Sequence, residues 1–181
     1  MHREMMLSRT YQLSSDATKD ADNRLLWRAN VRERLDAEAL RDSILAVAGT
    51  LDPTIGGPSK PLTDTFTRRT IYATVSRSKP DRTMALFDFP DPNASSEQRI
   101  VTVGPMQRLF FLNSPFVAEQ AKALAARVAP IGIAGAYELL YGRPATEAEI
   151  RLGNEFLGGD AAKWPKYAQV LLSAAEFSAV K

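Results

Sequence analysis

The 181-residue sequence contains no cysteine. Structural disulfides, thiolate metal sites and a cysteine nucleophile are therefore excluded, although the absence fixes no compartment. Histidine occurs once, as His2. A His-dependent triad would have to use this residue, at the edge of the chain where a positioned base is hard to hold. With no cysteine beside it, a lone histidine also excludes histidine-rich metal sites and haem attachment. Strong charge of one sign is missing too, since 23 basic and 21 acidic residues leave a net +2. Residues 60–108 carry the excess, with eight basic and five acidic groups. That falls short of the dense Lys/Arg face a nucleic acid requires, so no nucleic-acid partner is expected. No apolar run approaches the ~20 residues of a membrane span. The opening, Met1-His2-Arg3-Glu4-Met5-Met6-Leu7, lacks the basic-then-apolar order of a signal peptide, so any export signal is expected upstream of it.

What is present suits a folded domain: 45% hydrophobic and 24% charged residues lie far from disordered compositions. The chain is long enough for one buried core, read as a single helical domain over 1–181 with sub-lobes 1–103 and 104–181. A short helix over 2–9 has no capping Ser, Thr, Asp or Asn before it, which predicts a chain cut from something longer. A polar loop over 14–23 precedes the apolar anchor Leu25-Leu26-Trp27. Asp36 then stands as N-cap to a helix over 37–48, with Leu35 and Leu40 as a hydrophobic staple and Gly49 beyond its end. Residues 52–66 hold Pro53, Gly56, Gly57, Pro58 and Pro61, a loop composition. Ile71, Ala73 and Val75 alternate with polar residues, predicting a half-buried strand that Ile100-Val101-Thr102-Val103 would pair with.

One helical turn is expected over 81–87, and helices over about 105–113, from Pro115 through Val128, and over about 131–141, 146–157 and 165–178. Thr146 and Glu149 predict a capping box. In the last helix Tyr167, Val170, Ala174 and Phe177 are read as the inward face. The fold class is accordingly mainly α, an irregular helical bundle with long loops and at most a small two-stranded β ribbon.

The stretch Phe87-Asp88-Phe89-Pro90-Asp91-Pro92-Asn93 can neither continue a helix nor lie in a central strand, so it must be a shaped loop. Asp88, Asp91 and Asn93 bring three oxygen side chains within six residues, a set that calcium can use, although the glycine and distal Glu of an EF-hand are missing. Alternatively they cap backbone N–H groups while Phe87 and Phe89 plug the core. Arg68 and Arg69, with Arg77, Lys79 and Arg82, would suit an anion such as a carboxylate or sulfate; the plainer reading is a solvated face paired with acids. Tyr11, Trp27, Tyr72, Tyr137, Tyr141 and Trp164 would line a sugar platform, or simply pack in core and rim. No carboxylate pair singles itself out for glycoside hydrolysis.

The chain resembles the planctomycete-type PSD domain, a family of unknown function found C-terminal to cytochrome-c-like modules in large bacterial proteins. The likeness rests on His2-Arg3, Thr10 to Ser15, Asn23 to Arg28, Leu35 to Asp42 and Gly56-Gly57-Pro58. It continues through Arg68-Arg69 with Ile71-Tyr72, Phe87 to Asn93, Gln107 with Leu112-Asn113, Pro115-Phe116-Val117, Gly142-Arg143-Pro144 and Glu176-Phe177. Val103-Gly104-Pro105-Met106-Gln107 departs from the family's usual Thr-Val-Pro-Thr-Gln, and Ala94-Ser95-Ser96 replace a common cysteine. The resemblance implies an extracytoplasmic, multimodular setting but no activity. With no convergent site in the sequence and an uncapped first helix, the expectation is a non-catalytic interaction module that docks onto other modules of its parent protein, a cytochrome-c-like one included. The alternative is an accessory domain that binds or hydrolyses polysaccharide or binds anions, through Arg68, Arg69, Asp88, Asp91 and Asn93. No cofactor or metal is expected.

Overall fold

The computed structural model describes residues 1–12, 20, 22, 24 and 34–179. The predicted loop over 14–23, apart from residues 20 and 22, and the anchor Leu25-Leu26-Trp27 lie outside the described residues. The chain forms two units, residues 1–34 with 179–181, and residues 35–178.

In the first unit, helix α1 spans His2–Met6 and buries none of its residues. It stops three residues before the expected end, because the Ser8 hydroxyl donates to the Met5 carbonyl at 2.7 Å and so competes with helix propagation.

The second unit is a helical assembly: α2 (Ala37–Ala48), α3 (Arg82–Leu86), α4 (Pro105–Asn113), α5 (Pro115–Val128), α6 (Gly132–Tyr141), α7 (Glu147–Leu157), α8 (Trp164–Ser173) and α9 (Ala175–Ser178). Helix α5 is its axis and packs on α2, α4 and α8. Val117, Ala121, Leu124 and Val128, the face predicted from spacing, are all buried. Each fully buried Leu or Val is worth roughly 1.5–3 kcal/mol. Ser114 forms the corner between α4 and α5, donating its N–H to the Phe110 carbonyl and accepting at its own carbonyl from Ala118. Pro115 occupies the first turn of α5, where no backbone N–H is needed.

Helix α2 falls where the sequence places it. Gly49 ends it at φ +77°, and the Cβ that any other residue would carry there lies 3.0 Å from Arg127 Cδ. Asp36 holds the N-cap position without bonding the helix N–H groups, and its carboxylate meets Arg99 at 3.1 Å. The Thr146–Glu149 capping box forms as predicted.

Two expectations need correction. No strand forms among the described residues; Thr70–Tyr72 is a 3-10 turn, flanked by isolated parallel bridges Asp52–Arg68 and Lys60–Ala73. The cause is Asp42 on α2, which accepts from both the Thr70 N–H and hydroxyl at 2.7 Å and winds the chain there. Ile71, the first residue of that alternation, is 72% exposed, and the expected partners Ile100 and Val103 are 74% and 73% exposed. The terminal helix also breaks, at Ala174, whose ψ of 140° is extended. The Ser173 hydroxyl bonds back to the Gln169 carbonyl at 2.7 Å, a geometry that bends helices. The inward face of α8 is therefore Tyr167, Ala168, Leu171 and Leu172, whereas Val170 is 57% exposed.

Candidate functional site

Helix α3 starts at Asp81, whose Oδ1 accepts from the Met84 N–H at 2.9 Å. The chain leaves it through Phe87, which is buried with its ring edge-on to Phe110 and Phe111, centroids 5.2 and 6.0 Å away. Phe87 is thus the core plug expected of the motif. Asp88 follows at φ +63°, a left-handed conformation that Asp tolerates better than most residues. Its carboxylate receives the Thr102 N–H at 2.9 Å and hydroxyl at 2.8 Å, tying the loop to the segment before α4. Gln107 reinforces that tie, donating to the Leu86 carbonyl at 3.0 Å.

Beyond Asp88 the loop turns back. Asp91 Oδ1 accepts from the Asn93 N–H at 2.9 Å, and the Asn93 amide donates to the Arg77 carbonyl at 3.0 Å. This fastening brings residues 89–93 opposite residues 70–76, with α3 between them. A cleft of about 470 Å³ opens there, within the usual size of ligand pockets. Its walls are mainly apolar, including Ile71, Val75, Met84, Phe89, Pro90 and Pro92. Thr74, Ser76, Asp81, Asp91 and Asn93 add polar groups, and Glu38 lies at its edge with both oxygens bonded to Arg99 at 3.0 Å.

Of the five site residues predicted from sequence, Asp91 and Asn93 line this cleft; Arg68, Arg69 and Asp88 do not. Arg68 donates to the carbonyls of Thr54 and Gly56 and stacks 4.3 Å over the Tyr72 ring, stapling the long loop. Arg69 reaches Asp42 at 3.5 Å. The Arg68–Arg69 pair and the Asp88–Asn93 loop are therefore engaged separately. Among the described residues no three His, Cys, Asp or Glu side chains stand together in a way that could hold a metal ion. Of the aromatics predicted as a sugar platform, Tyr137 and Tyr141 pack edge to face at 5.1 Å, Tyr141 bonding the Leu171 carbonyl, and neither borders the cleft.

Arg41 and Asp42 are the residues that sequence reasoning passed over. Arg41 is 6% exposed on the core face of α2, sandwiched between the rings of Phe66 and Phe116, and donates to the Phe66 carbonyl. Burial lowers its affinity for its proton below the usual guanidinium value. The helical period carried the signal, since 41 shares a stripe with Ala37, Leu40, Ile44, Leu45 and Ala48, all of them buried. Together Arg41 and Asp42 hold residues 63–70 against α2, and so set the wall of the cleft.

The fold and site define a helical domain with an apolar, partly acidic cleft between two fastened loops. The family described as a protein of unknown function, PSD1 (DUF1553), matches residues 1–157, and the chain belongs to that family. No curated protein matches the chain, and no solved structure does. Among the described residues no helix is long and apolar enough to cross a membrane.

Proposed function

We propose that this chain is a non-catalytic docking module of a larger exported bacterial protein, and that it holds other modules of that protein, a cytochrome-c-like one among them, outside the cytoplasm. The observation that carries this reading is the cleft itself. Its area is mostly apolar, as at the buried centre of a recognition site, and its carboxylates are bonded to backbone or to Arg99 rather than facing one another as an acid–base pair would.

Calorimetric titration of residues 1–181 against the cytochrome-c-like module tests it. Binding at about 10 μM or tighter is expected. Ala85→Trp, which fills the cleft from an exposed position on α3, should abolish the heat while leaving the melting temperature in place. No heat at two temperatures, or equal heat with Ala85→Trp, defeats the reading.

A second reading has a narrower footing: Thr74, Ser76 and Asn93 supply the hydroxyl and amide groups of a sugar-binding edge. It makes the chain a carbohydrate-binding accessory domain, and it predicts that a neutral oligosaccharide raises the melting temperature and that Asn93→Ala removes the rise. The anion-binding form of this reading would have to use Arg68 and Arg69, which lie outside the cleft.

A further inference from the structure

We propose that the cleft accepts an extended peptide segment, apolar with an interspersed Lys or Arg, added as a strand along Ala73–Ser76. The inference rests on the docking reading above and specifies what the cleft holds.

The first support is a half-used strand edge. Lys60 donates its N–H to the Tyr72 carbonyl at 3.2 Å and accepts from the Thr74 N–H at 2.9 Å, so this side of the segment is paired. Backbone groups alternate sides along extended chain, which sends those of Ala73 and Val75 the other way. The Ala73 N–H turns back to the Thr70 carbonyl at 2.9 Å. The Ala73 carbonyl and the Val75 N–H and carbonyl make no hydrogen bond among the described residues. A guest residue donating to the Ala73 carbonyl and accepting from the Val75 N–H would repeat on this edge what Lys60 does on the other. Edges of this kind are where proteins add a partner's strand.

The walls supply the second support. Ile71 and Val75 are 72% and 59% exposed, an apolar surface that a guest's alternate side chains would cover. Opposite them Pro80, Pro90 and Pro92 lack N–H donors and hold fixed φ angles, so this wall is rigid and does not compete for the guest's carbonyls.

Charge is the third. No Lys or Arg lines the cleft, whereas Asp81 and Asp91 do. Each spends Oδ1 on a backbone N–H and neither forms an ion pair among the described residues, although the buried Arg41 guanidinium attracts Asp81 from the core side. A basic side chain in the guest would find a carboxylate on either flank, and an acidic guest would be repelled.

The test is an NMR titration of isotope-labelled residues 1–181 with the probe acetyl-Val-Lys-Val-Lys-Val-amide. Saturation below about 1 mM is expected, with the Val75 amide proton moving downfield as it gains an acceptor. Replacing both lysines by glutamate should weaken binding about tenfold or more, and N-methylating the central valine should do the same. Val75→Pro, which deletes the donor, should lose the probe while keeping the wild-type melting temperature, and Val75→Thr, which keeps the donor, should bind. Equal binding of the N-methylated or the glutamate probe overturns the proposal, as does no binding of the lysine probe at about 2 mM. Failure here combined with loss of module binding in Ala85→Trp would remove strand addition and leave docking standing. Failure of both would remove both.

Discussion

Asp88 fastens the loop to Thr102, and substituting it separates that role from ligand binding. Among the described residues two features are at stake: a carboxylate that accepts two hydrogen bonds from Thr102, and a left-handed backbone at φ +63°. Hydrogen bonds to a charged group contribute about 1.5–3 kcal/mol each when buried. Asp88 is only half-buried, so about 2 kcal/mol for the pair is the reasonable figure. Alanine adds roughly 1 kcal/mol because it favours the left-handed region less. Asp88→Ala should therefore cost about 3 kcal/mol, Asp88→Gly about 2 and Asp88→Asn about 1, since Asn keeps the turn and one acceptor. Urea unfolding followed by circular dichroism reads these differences directly. Asp88→Gly falling below Asp88→Ala in stability would refute the conformational part. An Asp88→Ala variant within about 0.5 kcal/mol of wild type would refute the fastening itself.

The other predictions concern the rear of the domain. Gly153 on α7 has no room for a Cβ, which would lie 2.6 Å from Tyr167 Oη and 2.7 Å from Ile133 Cδ1, so Gly153→Ala should lower stability by about 1–3 kcal/mol in the same urea experiment. Arg143 bonds both carboxylates of Glu149 and Glu176, at 2.7 Å to each. Chiefly through those Arg143 bonds, Glu149 is held at about 2, below its ordinary 4.5. The unfolded chain takes up a proton at Glu149 before the folded one does. The stabilisation is then complete above pH 4.5 and lost as pH falls towards 2, and Glu149→Gln should flatten the melting temperature across that window. A slope unchanged by the substitution would mean that other carboxylates govern acid unfolding.

Helices were legible where their signals are local. Asp36, Leu40 and Gly49 delimit α2, Pro105 and Pro115 open α4 and α5, and Thr146 with Glu149 opens α7. The mainly helical class follows from these. Half of the cleft was legible for the same reason: the Asp91–Asn93 turn is a short-range feature of its own heptapeptide. The facing wall was not. Period-two alternation over 71–75 describes a strand correctly in isolation, but Asp42, 28 residues earlier, captures Thr70 and winds Thr70–Tyr72 into a 3-10 turn, leaving only an isolated bridge at Ala73. Similarly, Arg68 and Arg69 look like a free basic pair until the folded chain supplies Thr54, Gly56 and Asp42 as partners. Sequence shows which groups need partners; only the fold decides which partners they meet.

The most direct measurement of the central claim is a map of amide shifts in labelled residues 1–181 on addition of a cytochrome-c-like module, the proposed partner. Docking through the cleft predicts changes concentrated at residues 70–76 and 81–93, with the exposed Leu152 and Phe156 face of α7 unmoved. Shifts confined to α7 and α8, with the cleft silent, would contradict it.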